Sequence, residues 1–249
     1  MGCFAGSGGH NEIVPGANSK FGIEHIEDRK FLDTVAKYVQ AAGWKYVNCS
    51  DEVGTTKTAV WSNAANNHLR VKDSDVDLQF HLNATPGGTG CEVWLHPSYG
   101  NRELAAKISK AMADAFGLKD RGIKFSTDLG WINKTKTGLL PEVCFIDNET
   151  DMQKYRANFD KAAKAVAEVI VGRSIQSIAP SKQNIIQTGV FSPYETPDVM
   201  GALTSLKMTA NFKLQSDGLT YFVSEPTSDA QLNGMKGWLD RKDWWYEVK

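Results

Sequence analysis

The chain has 249 residues, 41% of them hydrophobic and 23% charged, a composition that builds a sizeable soluble core and leaves room for more than one domain. Lysine and arginine total 28 against 29 aspartates and glutamates, which excludes the broad cationic field of a protein held on nucleic acid by its phosphates. No apolar run approaches the ~20 residues that cross a bilayer, and the first residues lack the basic and apolar regions of a secretory signal, so neither nucleic acid nor membrane is expected as a partner.

From Gly2 to Gly172 short apolar runs alternate with amphipathic segments, the pattern of an α/β fold with a mostly parallel, twisted sheet flanked by helices. Strands are expected at Cys3–Ala5, Lys45–Cys49, Val76–Phe80, Cys91–Leu95 and Pro141–Ile146. Between them Phe31, Val35 and Val39 repeat at helical spacing, as do Leu104, Ile108, Met112 and Ala115, then Tyr155, Phe159, Ala162, Val166 and Ile170. Gly43, Gly117 and Gly172 follow these helices where a left-handed residue ends a helix without Cβ strain. The four cysteines form no CxxC pair, and three sit inside strand-like stretches, so they read as small core residues.

Residues 173–183 are polar, contain one proline and show no periodicity, which marks a linker. The remainder, 184–249, reads as strand Asn184–Phe191, helix Pro197–Lys207, strands Asn211–Gln215 and Leu219–Ser224, helix Asp229–Leu239 and strand Trp244–Val248. This βαββαβ order is ferredoxin-like, with a two-residue Asp217-Gly218 hairpin expected between the middle strands. An SH3-like barrel is the rival fold. Trp238, Trp244, Trp245 and Tyr246 either form the core of this small domain or offer faces for sugars to stack on.

His10 follows the first strand and His81 ends the third, and in open α/β sheets functional groups collect beyond the carboxyl ends of strands. Glu24 begins the first amphipathic helix, completing two imidazoles and a carboxylate, a set that holds zinc with one position open. Glu27, one helical turn later, is the alternative third ligand. Glu142 interrupts an otherwise apolar strand, where a carboxylate costs several kcal/mol unless something meets it. It is either a general base or a salt-bridged structural residue. His25, His68 and His96 have no partner pattern and read as surface or loop histidines, with His96 a possible cleft residue. The glycines at 6, 8 and 9 lack the lysine and hydroxyl of a phosphate loop and instead suit a backbone passing close beneath a metal.

The segments Gly9-His10-Asn11, Pro15-Gly16-Ala17, Glu24, Phe80-His81-Leu82-Asn83-Ala84, Gly90-Cys91-Glu92-Val93, Asp120-Arg121-Gly122 and Pro141 to Asn148 together resemble the zinc-dependent N-acetylmuramoyl-L-alanine amidases of autolysins and phage endolysins, over about residues 1–172. The resemblance implies zinc on His10, Glu24 and His81, and Glu142 as the catalytic base. The interval from His10 to Glu24 fits the family pattern and favours Glu24 over Glu27. It further implies hydrolysis of the peptidoglycan amide between the lactyl group of N-acetylmuramic acid and L-alanine, by an enzyme made in a host cytoplasm and acting on the cell wall. Asn83 and Arg121 are expected to touch substrate or orient the ligands. The sequence departs from the family at Asn11-Glu12, where two glycines are usual, and at Asp120, where asparagine is common. The tail resembles a peptidoglycan-binding SPOR domain through Ile186 to Ser192 and Tyr221-Phe222-Val223. A zinc peptidase acting on the stem peptide and a non-catalytic wall-binding protein are the competing functions.

Overall fold

The computed structural model describes residues 2–176 and 184–249, and the chain divides into two compact units between Ser177 and Ile178. Most of the expected linker, residues 177–183, lies outside the described residues. In chain order the first unit holds β1 (Cys3–Gly8), β2 (Asn18–Ser19), β3 (Gly22–Ile23), α1 (Glu24–Ala41), β4 (Lys45–Asn48), α2 (Lys57–Arg70), β5 (Val76–Asn83) and β6 (Cys91–Leu95). It continues with α3 (Arg102–Phe116), β7 (Asp120–Phe125), α4 (Gly130–Thr135), β8 (Leu139–Phe145), α5 (Glu149–Ala157) and α6 (Phe159–Val171).

Six strands form the main sheet in the order β4-β1-β5-β8-β6-β7. All its ladders are parallel except β6 with β8, the one departure from a wholly parallel sheet. Strand β5 explains the two faces. Leu78, Phe80 and Leu82 alternate with Asp77, Gln79, His81 and Asn83, so one face is apolar and the other polar. The apolar face packs with Phe4, Val93, Leu95 and Val143 under α1, α3 and α6 in the main core. On the other face Ala64 and Ala65 of α2, Trp131 and Ile132 of α4 and Leu140 of β8 make a smaller core that leaves part of the sheet open.

Several expectations are corrected. Helix α2 is absent from the expected elements because its buried face is built mainly from Val60, Ala64, Ala65 and His68, a weak apolar stripe. Strand β7 runs at the sheet edge without a fully buried residue, which removes the alternation that would mark it. The expected helix through Tyr155 and Ile170 is two helices. Asn158 leaves helical geometry, with φ −121° and ψ 19°, and serves both as the end of α5 and the start of α6. Gly43, Gly117 and Gly172 all take positive φ just past their helices. All four cysteines are buried and free.

The second unit holds β9 (Ile186–Thr188), a 3₁₀ turn at Pro193–Glu195, α7 (Thr196–Ser205), β10 (Ala210–Leu214), β11 (Thr220–Ser224), α8 (Asp229–Arg241) and β12 (Tyr246–Val248). Its antiparallel sheet, ordered β10-β11-β9-β12, has the ferredoxin-like arrangement and not that of a barrel. The hairpin differs in detail. Only Gly218 takes positive φ, and the Gln215 and Leu219 backbones close a three-residue loop, because Asp217 stays in a conformation ordinary for an L-residue. Trp244 stacks on Phe191 at 5.0 Å and meets Trp238 edge-on at 5.7 Å, whereas Trp245 is 63% exposed. The aromatic group therefore splits between core and surface.

Candidate metal centre

His10 lies just past β1, Glu24 is the first residue of α1 and His81 is near the end of β5. Folding brings one ligand atom from each within 4.8 Å of the others. Glu24 is buried with its two oxygens divided between the rings. Oε1 lies 3.0 Å from His81 Nδ1 and Oε2 lies 3.3 Å from His10 Nε2. Backbone amides fix the carboxylate in place, Leu82 N donating to Oε1 at 3.2 Å and Ala17 N to Oε2 at 2.7 Å. Glu27 instead pairs with Lys30 on the surface of α1.

The backbone around the three side chains has no room to spare. A Cβ on Gly9 would lie 1.9 Å from His81 Cε1, and one on Gly16 would lie 2.4 Å from Glu24 Oε2 and against the His10 ring. Beneath the loop Asp28 is fully buried and accepts from Gly9 N at 3.0 Å, while Arg29 donates to the carbonyl of His10. Burial pushes the Asp28 carboxyl up, with Arg29 opposing it. Asn11, the departure after His10, is fully buried and ties this loop to Asp51 and Gly54.

The protonation of the cluster suits a divalent cation. Burial alone would raise the Glu24 carboxyl, but the imidazoles of His10 and His81 against its oxygens hold it well below the usual carboxylate range. Burial pulls the His81 ring down, with Glu24 opposing. His81 Nδ1 and Glu24 Oε1 are in hydrogen-bond contact at 3.0 Å, and a divalent cation bound among the three ligands would take the place of the proton between them. The donor set, two nitrogens and one carboxylate, is that of open-position zinc sites.

Glu142 of β8 sits in register with His81 of β5 on one side and Glu92 of β6 on the other, which puts the three on one face of the sheet. Its Oε2 is buried without a hydrogen-bond partner among the described residues. Burial, then Glu24 and Glu92, push its carboxyl well above the ordinary range. His10, Glu24, His81, Asn83 and Glu142 line a cleft of about 640 Å³ whose apolar lining includes Trp61, Leu129, Trp131 and Leu140.

The first unit matches the N-acetylmuramoyl-L-alanine amidase family over residues 7–171, more than half of the chain. The chain belongs to that family. Residues 205–248 match the PlyG cell wall binding domain and not the SPOR domain expected from Ile186 to Ser192 and Tyr221-Phe222-Val223. Among curated relatives, an uncharacterised protein of Clostridium perfringens (strain 13 / Type A) is 31% identical over 71% of this chain and 54% of its own length. The endolysin of Bacillus phage SPP1 is 29% identical over 47% of this chain and 48% of its own. The chain spans about half the length of the curated relatives it matches. The catalytic domain of CD27L endolysin, targeting Clostridia difficile, shares the fold: TM-score 0.61, 23% identity, 71% of this chain and 100% of that one.

Within the amidase unit some expected residues hold other roles. Asn83 lines the cleft and donates to Glu92 Oε1 at 3.2 Å. Arg121 is not on the cleft wall described above. Its Nε donates to Glu92 Oε2 at 2.6 Å and its guanidinium lies over Phe145. Glu92, buried beside Glu142, is the residue sequence reasoning passed over, although an acid inside Cys91–Leu95 carries the same signal as Glu142. Asp120 accepts from Ser109 Oγ and Gly122 N and so shapes its own turn. His68 and His96 are buried, contrary to the surface expectation; His68 sits under the site and His96 against Tyr99.

Proposed function

We propose that this chain hydrolyses peptidoglycan at the amide between the lactyl group of N-acetylmuramic acid and L-alanine, with zinc held by His10, Glu24 and His81. The reading is carried by three ligand atoms from separate elements converging within 4.8 Å on the floor of a cleft that also contains Glu142. Zinc in that position supplies Lewis acidity toward a carbonyl and lowers the pKa of water.

The chain's own groups do the rest. Glu142 faces the cleft with an unpartnered carboxylate oxygen, and burial beside two other acids raises its affinity for a proton. It takes the proton from the attacking water and passes it to the alanine nitrogen as the carbon–nitrogen bond breaks, so no covalent intermediate is required. Asn83 stands at the cleft edge where a substrate amide or hydroxyl passes, held by Glu92. Arg121 acts behind Glu92 and fixes that buried acid in place. The wall of Trp61, Trp131 and Leu140 gives the saccharide and lactyl part an apolar surface and sheds water from the site.

We assign residues 1–172 to catalysis, 173–183 to a linker and 184–249 to wall binding, the last supported by the PlyG-type match. Action at the bacterial wall, as in endolysins, follows from the same pair of matches. No helix among the described residues is long and apolar enough to cross a membrane.

The test is Glu142→Ala assayed on purified walls. The expected result is full zinc content with release of alanine amino groups reduced by about 10²–10⁴. Mass analysis of wild-type products decides between readings: a new amine on a later stem residue indicates a peptidase, and a zinc-loaded wild type that releases nothing indicates a wall-binding protein.

A further inference from the structure

Behind the metal centre a row of buried polar groups runs through the sheet's polar face. His81 Nε2 lies 3.2 Å from Gln79 Oε1, and Gln79 Nε2 donates to Ser7 Oγ at 3.3 Å. Ser7 Oγ lies 2.9 Å from His68 Nε2, and His68 Nδ1 lies 2.8 Å from Asp77 Oδ1. Ser74 Oγ donates to the other Asp77 oxygen at 2.6 Å. Register explains the alignment: Ser7 of β1 sits opposite Gln79 of β5, and Asp77, Gln79 and His81 alternate along the same face. His68 closes the row from α2, where the edge of Trp131 packs on it at 5.0 Å. Ser7, His68 and Asp77 have the contacts of a nucleophilic triad, but Ser7 is fully buried and no substrate reaches it.

The row has a direction. A carboxylate only accepts, so Asp77 draws the proton of His68 onto Nδ1 and leaves its Nε2 as an acceptor. Ser7 then gives its hydroxyl proton to His68 and accepts from the Gln79 amide. That turns the Gln79 carbonyl toward His81, where it accepts from Nε2–H. A neutral imidazole has one N–H, and Gln79 Oε1 on Nε2 and Glu24 Oε1 on Nδ1 compete for it; with the proton on Nε2 the Nδ1 lone pair is free for a metal held between the ligands. Each link polarises the next.

We propose that Gln79, oriented by Ser7, His68 and Asp77, is a positioning residue that holds His81 in the tautomer presenting Nδ1 to the metal. The inference rests on the metal site proposed above. Outer-shell partners of ligating histidines fix tautomer and ring angle in this way, and their loss typically costs 10–100-fold in metal affinity.

The test measures zinc affinity of the full chain by competition with a chromogenic chelator, together with imidazole nitrogen chemical shifts in isotope-labelled, metal-free protein. Gln79→Leu is expected to weaken zinc about 10–100-fold and to move the His81 proton from Nε2 toward Nδ1. Gln79→Glu, whose carboxylate accepts the same N–H, is expected to keep or exceed the wild-type affinity. Ser7→Ala, which cuts the row one step back, is expected to fall between the two. Wild-type affinity and an unmoved proton in Gln79→Leu would overturn the proposal, as would equal losses in Gln79→Leu and Gln79→Glu, which indicate packing damage alone. A wild-type chain that takes up no zinc sinks the metal reading instead, while the nitrogen shifts still decide where the His81 proton sits.

Discussion

Gly9→Ala isolates the tightest steric requirement in the site. Gly9 does not take positive φ, so alanine is tolerated by the backbone and only space opposes it. The added Cβ would lie 1.9 Å from His81 Cε1 and 2.1 Å from its Nε2. The Gly9 amide is held on both Phe80 O, at 2.9 Å, and Asp28, at 3.0 Å, so the imidazole must yield before the backbone does. Restoring ordinary van der Waals contact moves the ring by about 1.5 Å, several times the ~0.2 Å within which metal–ligand distances are held. Overpacking of this kind costs about 1–3 kcal/mol of stability. The loss of zinc affinity should exceed the ~100-fold upper range for removing an outer-shell partner, because a ligand itself is displaced. Urea unfolding gives the first quantity and chelator competition the second. A Gly9→Ala chain that binds zinc as the wild type does would refute the steric argument and the assignment of His81 as a ligand.

Glu142→Gln should stabilise the metal-free protein at pH 7. Burial beside Glu24 and Glu92 raises the folded pKa above its ordinary 4.5, so the wild type loses stability as pH rises from the unfolded value through the folded one. Glutamine does not ionise, and the advantage should fade near pH ~4 in urea titrations with chelator present; a pH-independent difference would count against a raised carboxyl. In the second unit, Trp244→Ala removes the half-buried ring stacked on Phe191 and should cost about 2–4 kcal/mol, read from the unfolding transition of the tail. Trp245→Ala, at the exposed neighbour, should leave that transition within ~0.5 kcal/mol while lowering sedimentation with purified walls. Equal stability losses for the two would contradict the split between core and surface.

The readable parts of the fold are those that leave a period in the chain. Phe31, Val35 and Val39 announce α1, and Leu104 to Ala115 announce α3, because each buries one stripe of large side chains. The βαββαβ order of the tail is legible for the same reason, since its strands alternate and its helices repeat. Helix α2 and strand β7 are not, because alanine-rich and half-exposed elements carry little hydrophobic contrast. The break at Asn158 hides inside an apolar repeat that continues across it.

The site divides along similar lines. Glu142, an acid interrupting an apolar strand, and two histidines at strand ends are visible one segment at a time. The strict alternation of Asp77, Gln79, His81 and Asn83 with apolar neighbours already commits those four side chains to one face. Strand order alone placed Glu92 beside Glu142 and Arg121 on Glu92, since β6 and β8 become neighbours only after the chain passes through α3, β7 and α4. The contact of Glu24 with both His10 and His81, while Glu27 pairs with Lys30, and the burial of His68 against Ser7 arose likewise from packing. Residue type and local period dictate which side of an element is polar; distances between groups remote in the chain exist only once the sheet has closed around them.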